Sequence, residues 1–135
     1  MIVVDSSFLI AFHNERDAHH NRAVEGMRDF LGGRWGKGLL LEYVFLEVVT
    51  VLMVRRNVSV ASRVGKVLMD ATELEFVPCS DIFLETMNTF TAQRGTRLSF
   101  ADIAIATVAR TRADRQILTF DEEFKKLGEM ELYPA

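Results

Sequence analysis

The sequence has little of the chemistry that stabilises secreted proteins or binds the softer metals. It contains one cysteine, Cys79, among 135 residues, which excludes an internal disulfide and a zinc site built from cysteines. Its three histidines do not form a histidine-rich tract. A chain with so few thiols suits a reducing compartment, and we expect it to reside in the cytoplasm.

The sequence also lacks long hydrophobic runs and linkers. Its most apolar stretch, Leu39 to Val54, is shorter than the roughly 20 residues of a membrane span and is interrupted by Glu42, Glu47 and Thr50. The opening MIVVDSS has no basic segment before its apolar residues, so a signal peptide is not expected. No repeat, low-complexity tract or Pro/Gly-rich segment is present. These features predict one domain over residues 1–135.

Charge of one sign is not in large excess. The net charge of −3 argues weakly against a nucleic-acid partner, but the argument depends on where the acids lie. If four of the 19 acidic residues held a divalent cation, the remaining acids would be one fewer than the 16 basic residues. A surface with a local basic patch is then compatible with the composition.

Short apolar runs alternate with helical patterns along the chain. They predict strands at Ile2–Val4, Gly38–Leu41, Glu75–Val77 and Ile117–Leu118, with Leu132–Tyr133 as an edge strand. Between them we predict helices at 8–13, 43–56 and 122–127, and helices that start at Asp17, Ser59, Ser80 and Ser99 as capping residues. This alternation predicts an α/β fold of three layers, in which helices flank a mostly parallel central sheet of four to five strands.

Two acidic residues follow predicted strands of this sheet. Asp5 comes directly after the first strand, and Asp121 follows Ile117–Leu118. In parallel sheets the ligand site lies beyond the carboxyl ends of the strands. The sequence therefore predicts that these two carboxylates lie at the site.

Two further acids stand in strongly apolar segments, and each of the four has a structural alternative. Asp5 and Asp121 can act as N-caps, and Ser99 with Asp102 resembles a capping box in which Asp replaces the usual Glu or Gln. Glu47 has no basic residue three or four positions away and needs a distant partner. If the four carboxylates converged they would repel one another, and a hard divalent cation such as Mg²⁺ would relieve that repulsion.

The four acids also match a known family in order and spacing. The blocks "VVDSSFLIA", "YVFLEVVTVL", "LSFADIAIATVA" and "ILTFDEEF" carry Asp5, Glu47, Asp102 and Asp121. They resemble the acid blocks of PIN-domain ribonucleases and are most similar to the VapC-type toxins of prokaryotic toxin–antitoxin pairs. The resemblance spans nearly the whole chain.

This resemblance implies a PIN-like fold and hydrolysis of RNA phosphodiester bonds with Mg²⁺ or Mn²⁺. It implies that Asp5, Asp102 and Asp121 hold the metal, while Glu47 is either a further ligand or orients the attacking water. The hydroxyls of Ser6, Ser7 and Thr119 match positions where the family often carries a small polar residue, and they are expected to support the acids. The implied partners are RNA, a small antitoxin protein and a second copy of the chain.

Other functions remain open at the level of sequence. A PIN nuclease of RNA processing or turnover would carry the same acids without an antitoxin, and a short antitoxin-like neighbouring gene would separate the two. A non-enzymatic scaffold is less consistent with the intact acid set. A receiver-like regulatory domain also places aspartates at strand ends, but it needs an acidic pair after its first strand, where this chain has Asp5-Ser6-Ser7.

Overall fold

Five strands form one all-parallel sheet in the computed structural model, which describes residues 1–135. The strands are β1 (Ile2–Val4), β2 (Gly38–Leu41), β3 (Leu74–Val77), β4 (Gln116–Leu118) and β5 (Glu131–Tyr133). Their order across the sheet is β3-β2-β1-β4-β5, so the first strand is central and the last is an edge strand. Val3 pairs with Leu39 on one side and with Ile117 on the other. The expected parallel sheet is confirmed.

Six α-helices connect these strands. They are α1 (Ser6–His13), α2 (His20–Leu31), α3 (Glu42–Arg55), α4 (Val58–Asp70), α5 (Phe83–Thr91) and α6 (Phe100–Arg112), with 3₁₀ segments at Cys79–Asp81 and Glu122–Leu127. The chain moves from β1 to β2 and β3 in one direction and returns to β4 and β5 in the other. Because parallel crossovers are right-handed, α1 to α4 cover one face and α5 and α6 the other. The three-layer arrangement follows. None of the helices has the length and apolarity needed to cross a membrane.

Three helix starts differ from those expected. Helix α4 is capped by Asn57, whose side chain accepts a hydrogen bond from Val60 N at 2.8 Å, and not by Ser59. Helix α2 begins at His20, because Asp17 closes a turn before it. Ser80 lies in a 3₁₀ segment, so α5 begins only at Phe83. The side chain of Asn57 bonds one of the free N–H groups of α4, whereas α2 and α5 begin without a side-chain cap.

The order in which the chain adds strands to the sheet reverses at β1, and this reversal positions the site. Strands β1, β2 and β4 are almost wholly buried between the helical layers. Since β2 and β4 lie on opposite sides of β1, a crevice opens at the carboxyl ends of β1 and β4. Asp5 follows β1, and residues 119–121 follow β4.

Two glycines give a matched test of this packing. A Cβ on Gly38, at the start of β2, would stand 2.9 Å from Phe30 Cζ and from Leu74 Cδ2. On Gly65, inside α4, the nearest atom would be Val49 Cγ2 at an ordinary 3.5 Å. We expect Gly38→Ala to cost about 1–3 kcal/mol of unfolding free energy through overpacking. Gly65→Ala should increase the unfolding free energy by as much as about 1 kcal/mol, because alanine favours the helical conformation.

Urea denaturation of the two variants checks both values. Equal stability of the two would contradict the packing described for β2.

Candidate active site

A polar cavity of about 350 Å³ lies at the carboxyl ends of β1 and β4. Each of the four acids singled out from the sequence lines it, together with both serines that follow β1. The lining residues are Asp5, Ser6, Ser7, Ile10, Asp17, His19, Glu47, Val51, Arg55, Ser99, Asp102 and Asp121. The fold thus brings together acids that are up to 116 residues apart in the chain.

Asp5 is the most buried of the four acids, with 5% of its surface exposed. It occupies the N-cap position of α1, but its side chain makes no capping hydrogen bond, so the capping interpretation is wrong for this residue. Its Oδ2 accepts hydrogen bonds from Thr119 Oγ1 at 2.6 Å and from Ser7 Oγ at 2.9 Å. Its Oδ1 has only a long 3.4 Å contact with Ser6 Oγ. One carboxylate oxygen is therefore held firmly and the other is nearly free.

The hydroxyls that hold Asp5 also tie β1 to the loop after β4. Ser7 Oγ and Thr119 Oγ1 lie 3.0 Å apart. Ser7 Oγ accepts from Phe120 N at 2.9 Å, and Thr119 Oγ1 accepts from Asp121 N at 2.9 Å. Of the three expected supporting hydroxyls, Ser7 and Thr119 are in this network, while Ser6 makes only its long contact.

The charge of Asp5 has no cationic partner. Burial raises the pKa of Asp5, the hydrogen bonds from Thr119, Ser7 and Ser6 oppose the rise, and the nearby charge of Asp102 adds to it. None of the four acids forms an ion pair with a lysine, arginine or histidine. The carboxylates therefore face one another without compensation.

Asp102 completes a capping box at the start of α6. Ser99 N donates to Asp102 Oδ2 at 3.2 Å, and Asp102 N donates to Ser99 Oγ at 3.1 Å. Its Oδ1 makes no hydrogen bond, and the half-buried side chain lines the cavity. Burial raises the pKa of Asp102, the bonds with Ser99 lower it, and the charges of Asp121 and Glu123 raise it further.

Asp121 combines the same two roles. It is the N-cap of the 3₁₀ segment after β4, where its Oδ1 accepts from Glu123 N at 2.9 Å. Its Oδ2 makes no hydrogen bond, and the residue lines the cavity. For Asp102 and Asp121, capping is therefore confirmed, and it occupies one oxygen of each.

Glu47 is less buried than its apolar surroundings in the sequence suggested. It is exposed, makes no hydrogen bond or ion pair, and lies on the same face of α3 as Val51 and Arg55, four and eight residues later. The expectation that it needs a distant protein partner is wrong, because solvent in the cavity reaches it.

Besides the capping Ser99, the cavity contains three polar residues that were not expected there from the sequence. They are Asp17, His19 and Arg55. Asp17 Oδ1 accepts from His19 N at 2.9 Å, and Arg55 Nη1 lies 4.0 Å from Asp17 Oδ2. Arg55 could have been predicted, because it follows Glu47 by eight residues on the same helix face. Asp17 and His19 reach the site through a turn, and no sequence pattern predicts their position.

The carboxylate oxygens of the cavity are suitable ligands for a hard divalent cation, although they are not arranged around one. Five carboxylates, those of Asp17 and the four expected acids, face a single arginine, and three of the aspartates keep one oxygen with no short hydrogen bond. Oxygen ligands of this kind are those preferred by Mg²⁺ and Mn²⁺. No group of three or more such side chains is arranged to hold a metal ion.

The uncompensated charge of Asp5 predicts an unusual pH dependence of stability. Because its pKa is raised in the folded state, the stability it contributes is present below its unfolded pKa and is lost as pH rises through the folded pKa. Without metal at neutral pH, Asp5→Asn should therefore be more stable than the wild type, and the difference should vanish in acid. Millimolar Mn²⁺ should raise the melting temperature of the wild type and not of Asp5→Asn.

Thermal unfolding from acidic to neutral pH, with and without Mn²⁺, measures both effects. Asp70→Asn, at an exposed aspartate on α4, is the matched control and should follow the wild type. Identical unfolding curves for the wild type and Asp5→Asn under all conditions would show that the ionised carboxylate of Asp5 does not destabilise the folded protein.

Comparisons with known proteins agree with this geometry. The sequence matches the family described as PIN domain over residues 2–130. The fold is similar to that of VapC20 of Mycobacterium tuberculosis, described as a sarcin–ricin loop cleaving toxin, with a TM-score of 0.84 and 22% sequence identity. The alignment covers 99% of this chain and 100% of that one. No curated protein sequence matches.

The family match sets aside the receiver-like alternative and agrees with the three-layer fold. It includes all four acid blocks and leaves out only the first residue and the last five. The chain therefore belongs to the PIN domain family.

Proposed function

We propose that this protein is a Mg²⁺- or Mn²⁺-dependent ribonuclease that hydrolyses RNA phosphodiester bonds in the cytoplasm as the toxin of a toxin–antitoxin pair. The observation that carries the proposal is that one cavity is lined by Asp5, Glu47, Asp102 and Asp121. This cavity lies where the strand order reverses. The resemblance of the four acid blocks and the structural similarity to a toxin described as cleaving the sarcin–ricin loop support the substrate class.

The residues have distinct tasks in this proposal. Asp5, Asp102 and Asp121 hold the cation through the oxygens that capping and the hydroxyl network leave free. A bound divalent ion supplies a water of lowered pKa and polarises a phosphoryl oxygen. Glu47, exposed and unpaired, either completes the ligand set or accepts a proton from the attacking water. The two roles of Glu47 are left open.

Arg55 is the one lysine or arginine in the cavity and is suited to bind the phosphate. Its side chain is 57% exposed, and its 4.0 Å contact with Asp17 is at the limit of an ion pair. Because the arginine is exposed and the contact is long, the pair contributes little energy, and the guanidinium is free to turn toward a phosphate oxygen. Arginine also matches phosphate geometry through two parallel hydrogen bonds.

A substitution at Asp102 separates a ligand from a simple cap. Asparagine is nearly the same size and can still accept the hydrogen bond from Ser99 N, so Asp102→Asn should cost at most about 1 kcal/mol of stability. It lacks the charge that a hard cation requires. Because even residues that only support metal ligands change activity by 10- to 100-fold, we expect cleavage to fall by about 100-fold or more.

The measurement is cleavage of a mixed RNA pool in Mg²⁺ or Mn²⁺, repeated in EDTA. Asp5→Asn and Asp121→Asn should behave like Asp102→Asn, whereas Glu122→Gln, at an exposed acid one residue beyond the cavity, should remain active. Wild-type cleavage by Asp102→Asn would overturn the assignment. Cleavage that survives EDTA would overturn the metal dependence.

An apolar groove supports the proposed antitoxin partner. The groove, of about 560 Å³, lies between α1, α2 and α4, and its walls include Phe8, Phe12 and Met27. Burial, with the charge of Arg63, lowers the pKa of His13 to about 4, so the imidazole in this wall is uncharged at neutral pH. A groove of this kind suits the apolar face of an amphipathic helix.

The groove also lies close to the acids along the chain. Val4 and Leu118 line it, and each directly precedes a residue of the hydroxyl network, Asp5 and Thr119. A helix bound there would contact the ends of β1 and β4, which carry Asp5 and the loop of Asp121. A PIN nuclease of RNA processing without an antitoxin would have no partner for this groove, and this is the alternative function.

A second apolar surface supports the proposed homodimer. Leu46, Met69 and Phe76 are exposed around a shallow cavity of about 460 Å³ beside the edge strand β3. Further along the chain, α5 exposes Phe83, Leu84 and Met87, with Leu84 at 77%. Large exposed apolar surfaces of this kind mark protein interfaces. We assign this surface to the second copy of the chain.

Two matched charge insertions separate the two surfaces. In sedimentation velocity at micromolar concentration the wild type should be a dimer of the 15.3 kDa chain. Leu84→Glu should sediment as a monomer, because a charge cannot be buried without a partner. Val67→Glu, at an exposed residue of the groove, should remain a dimer but fail to bind the product of a neighbouring short antitoxin-like gene.

A wild-type chain that is monomeric across this range would contradict the dimer. Equal binding of the short product by Val67→Glu and the wild type would contradict the groove assignment.

A further inference from the structure

A second polar cavity adjoins the acid cavity and shares two residues with it, His19 and Asp121. It has a volume of about 340 Å³ and lies beside the loop after β4 and the end of the chain. We call it the flanking groove and define it by His19, Arg22, Phe120, Asp121, Lys125 and Pro134. Anything bound across the acids can extend directly into it.

An exposed aromatic ring stands at the junction of the two cavities. The imidazole of His19 lies parallel to the ring of Phe120, with 4.6 Å between centroids and 8° between planes. Phe120 in turn stacks on Phe8, which is fully buried in the core. The hydrogen bond from His19 N to Asp17 fixes the backbone beneath the imidazole. The three rings therefore run from the core to the surface, and the outermost one is flat, supported and exposed.

Cationic side chains lie beside this ring. The guanidinium of Arg22 is 5.3 Å from the centroid of Phe120 and donates through Nη2 to the carbonyl oxygen of Pro134 at 3.2 Å. Lys125 Nζ is 3.1 Å from Glu122 Oε1 in an exposed pair that solvent weakens. The flanking groove thus offers two exposed cations next to a cavity dominated by carboxylates, so phosphates beyond the cleaved one have favourable partners here.

We propose that the flanking groove binds the nucleotide next to the scissile phosphate of a single-stranded RNA. Its base stacks on the imidazole of His19, and its phosphate contacts Arg22 and Lys125. Only an unpaired base exposes a face for such stacking, so the groove selects single-stranded or looped RNA over a continuous duplex. This inference rests on the proposed ribonuclease function, because it orders the substrate around the acids.

Equilibrium binding tests the groove without relying on cleavage. The Asp102→Asn protein in Mg²⁺ is titrated into a fluorescein-labelled pool of random single-stranded RNA octamers and followed by anisotropy. Adding His19→Ala should weaken binding by about 5- to 100-fold, the range expected for one stacked base. His19→Phe should retain most of the affinity, since it keeps the flat ring.

The cations are tested by the salt dependence of the same titration. Arg22→Gln should reduce the slope of log K against log salt by about 0.7, the value for one phosphate contact on a single strand. Arg22→Lys should restore the slope. Lys37→Gln, at an exposed cation just before β2 that lines none of the cavities, is the matched control and should leave affinity and slope unchanged.

The outcomes separate this inference from the proposed function. Unchanged affinity with His19→Ala and an unchanged slope with Arg22→Gln overturn the flanking groove, whether or not the wild type cleaves RNA. An equal loss for His19→Ala on single strands and on a duplex of matched length overturns the stacking. Loss of binding in these variants together with a wild type that cannot cleave RNA would leave the groove supported and overturn the ribonuclease.

Discussion

A buried carboxylate without a cation is the constraint on which the rest of this structure depends. Asp5 is buried at the end of the central strand and forms no ion pair with a basic side chain. Burying an ionised carboxylate is costly unless hydrogen bonds or an opposite charge compensate it. The protein supplies the hydrogen bonds, from Ser7 and Thr119, and these same bonds join β1 to the loop after β4. The strand ends that create the site are therefore held together by the carboxylate that most lacks a compensating charge.

Much of the fold and part of the site follow from the sequence because they depend on local signals. Alternating strand and helix patterns identify a parallel sheet, and the position of Asp5 and Asp121 directly after strands places them at one edge of it. The capping-box spacing of Ser99 and Asp102 fixes the start of α6 independently of tertiary contacts. These predictions hold because backbone groups at strand and helix ends must be satisfied wherever the element lies.

The remaining features depend on how whole helices pack, and the sequence carries little information about that. Helix α3 is apolar on nearly every side, which suggested a buried Glu47, yet it exposes Leu46, Met53 and Val54 as well as the glutamate. An apolar sequence pattern predicts that a helix face is buried, but it does not identify the element that packs against that face. Asp17 and His19 enter the site through the turn before α2, whose direction is set by the packing of α1 against α2. No periodicity in the sequence encodes that direction.

The two interpretations of the aspartates, as caps and as metal ligands, turn out to be compatible because a carboxylate has two oxygens. In Asp102 and in Asp121 one oxygen accepts a hydrogen bond from a backbone N–H at a helical N-terminus, and in Asp5 one oxygen accepts from the hydroxyl pair. The local bond fixes the orientation of the side chain, so the second oxygen is ordered before any ion arrives. Preorganised acceptors bind a cation with less loss of conformational freedom, but they also repel one another while it is absent. Burial is the main cause of the raised pKa values of Asp5 and Asp102, and the repulsion adds to it. A site built in this way lowers the stability of the chain, and a cation that bound only the folded state would restore it.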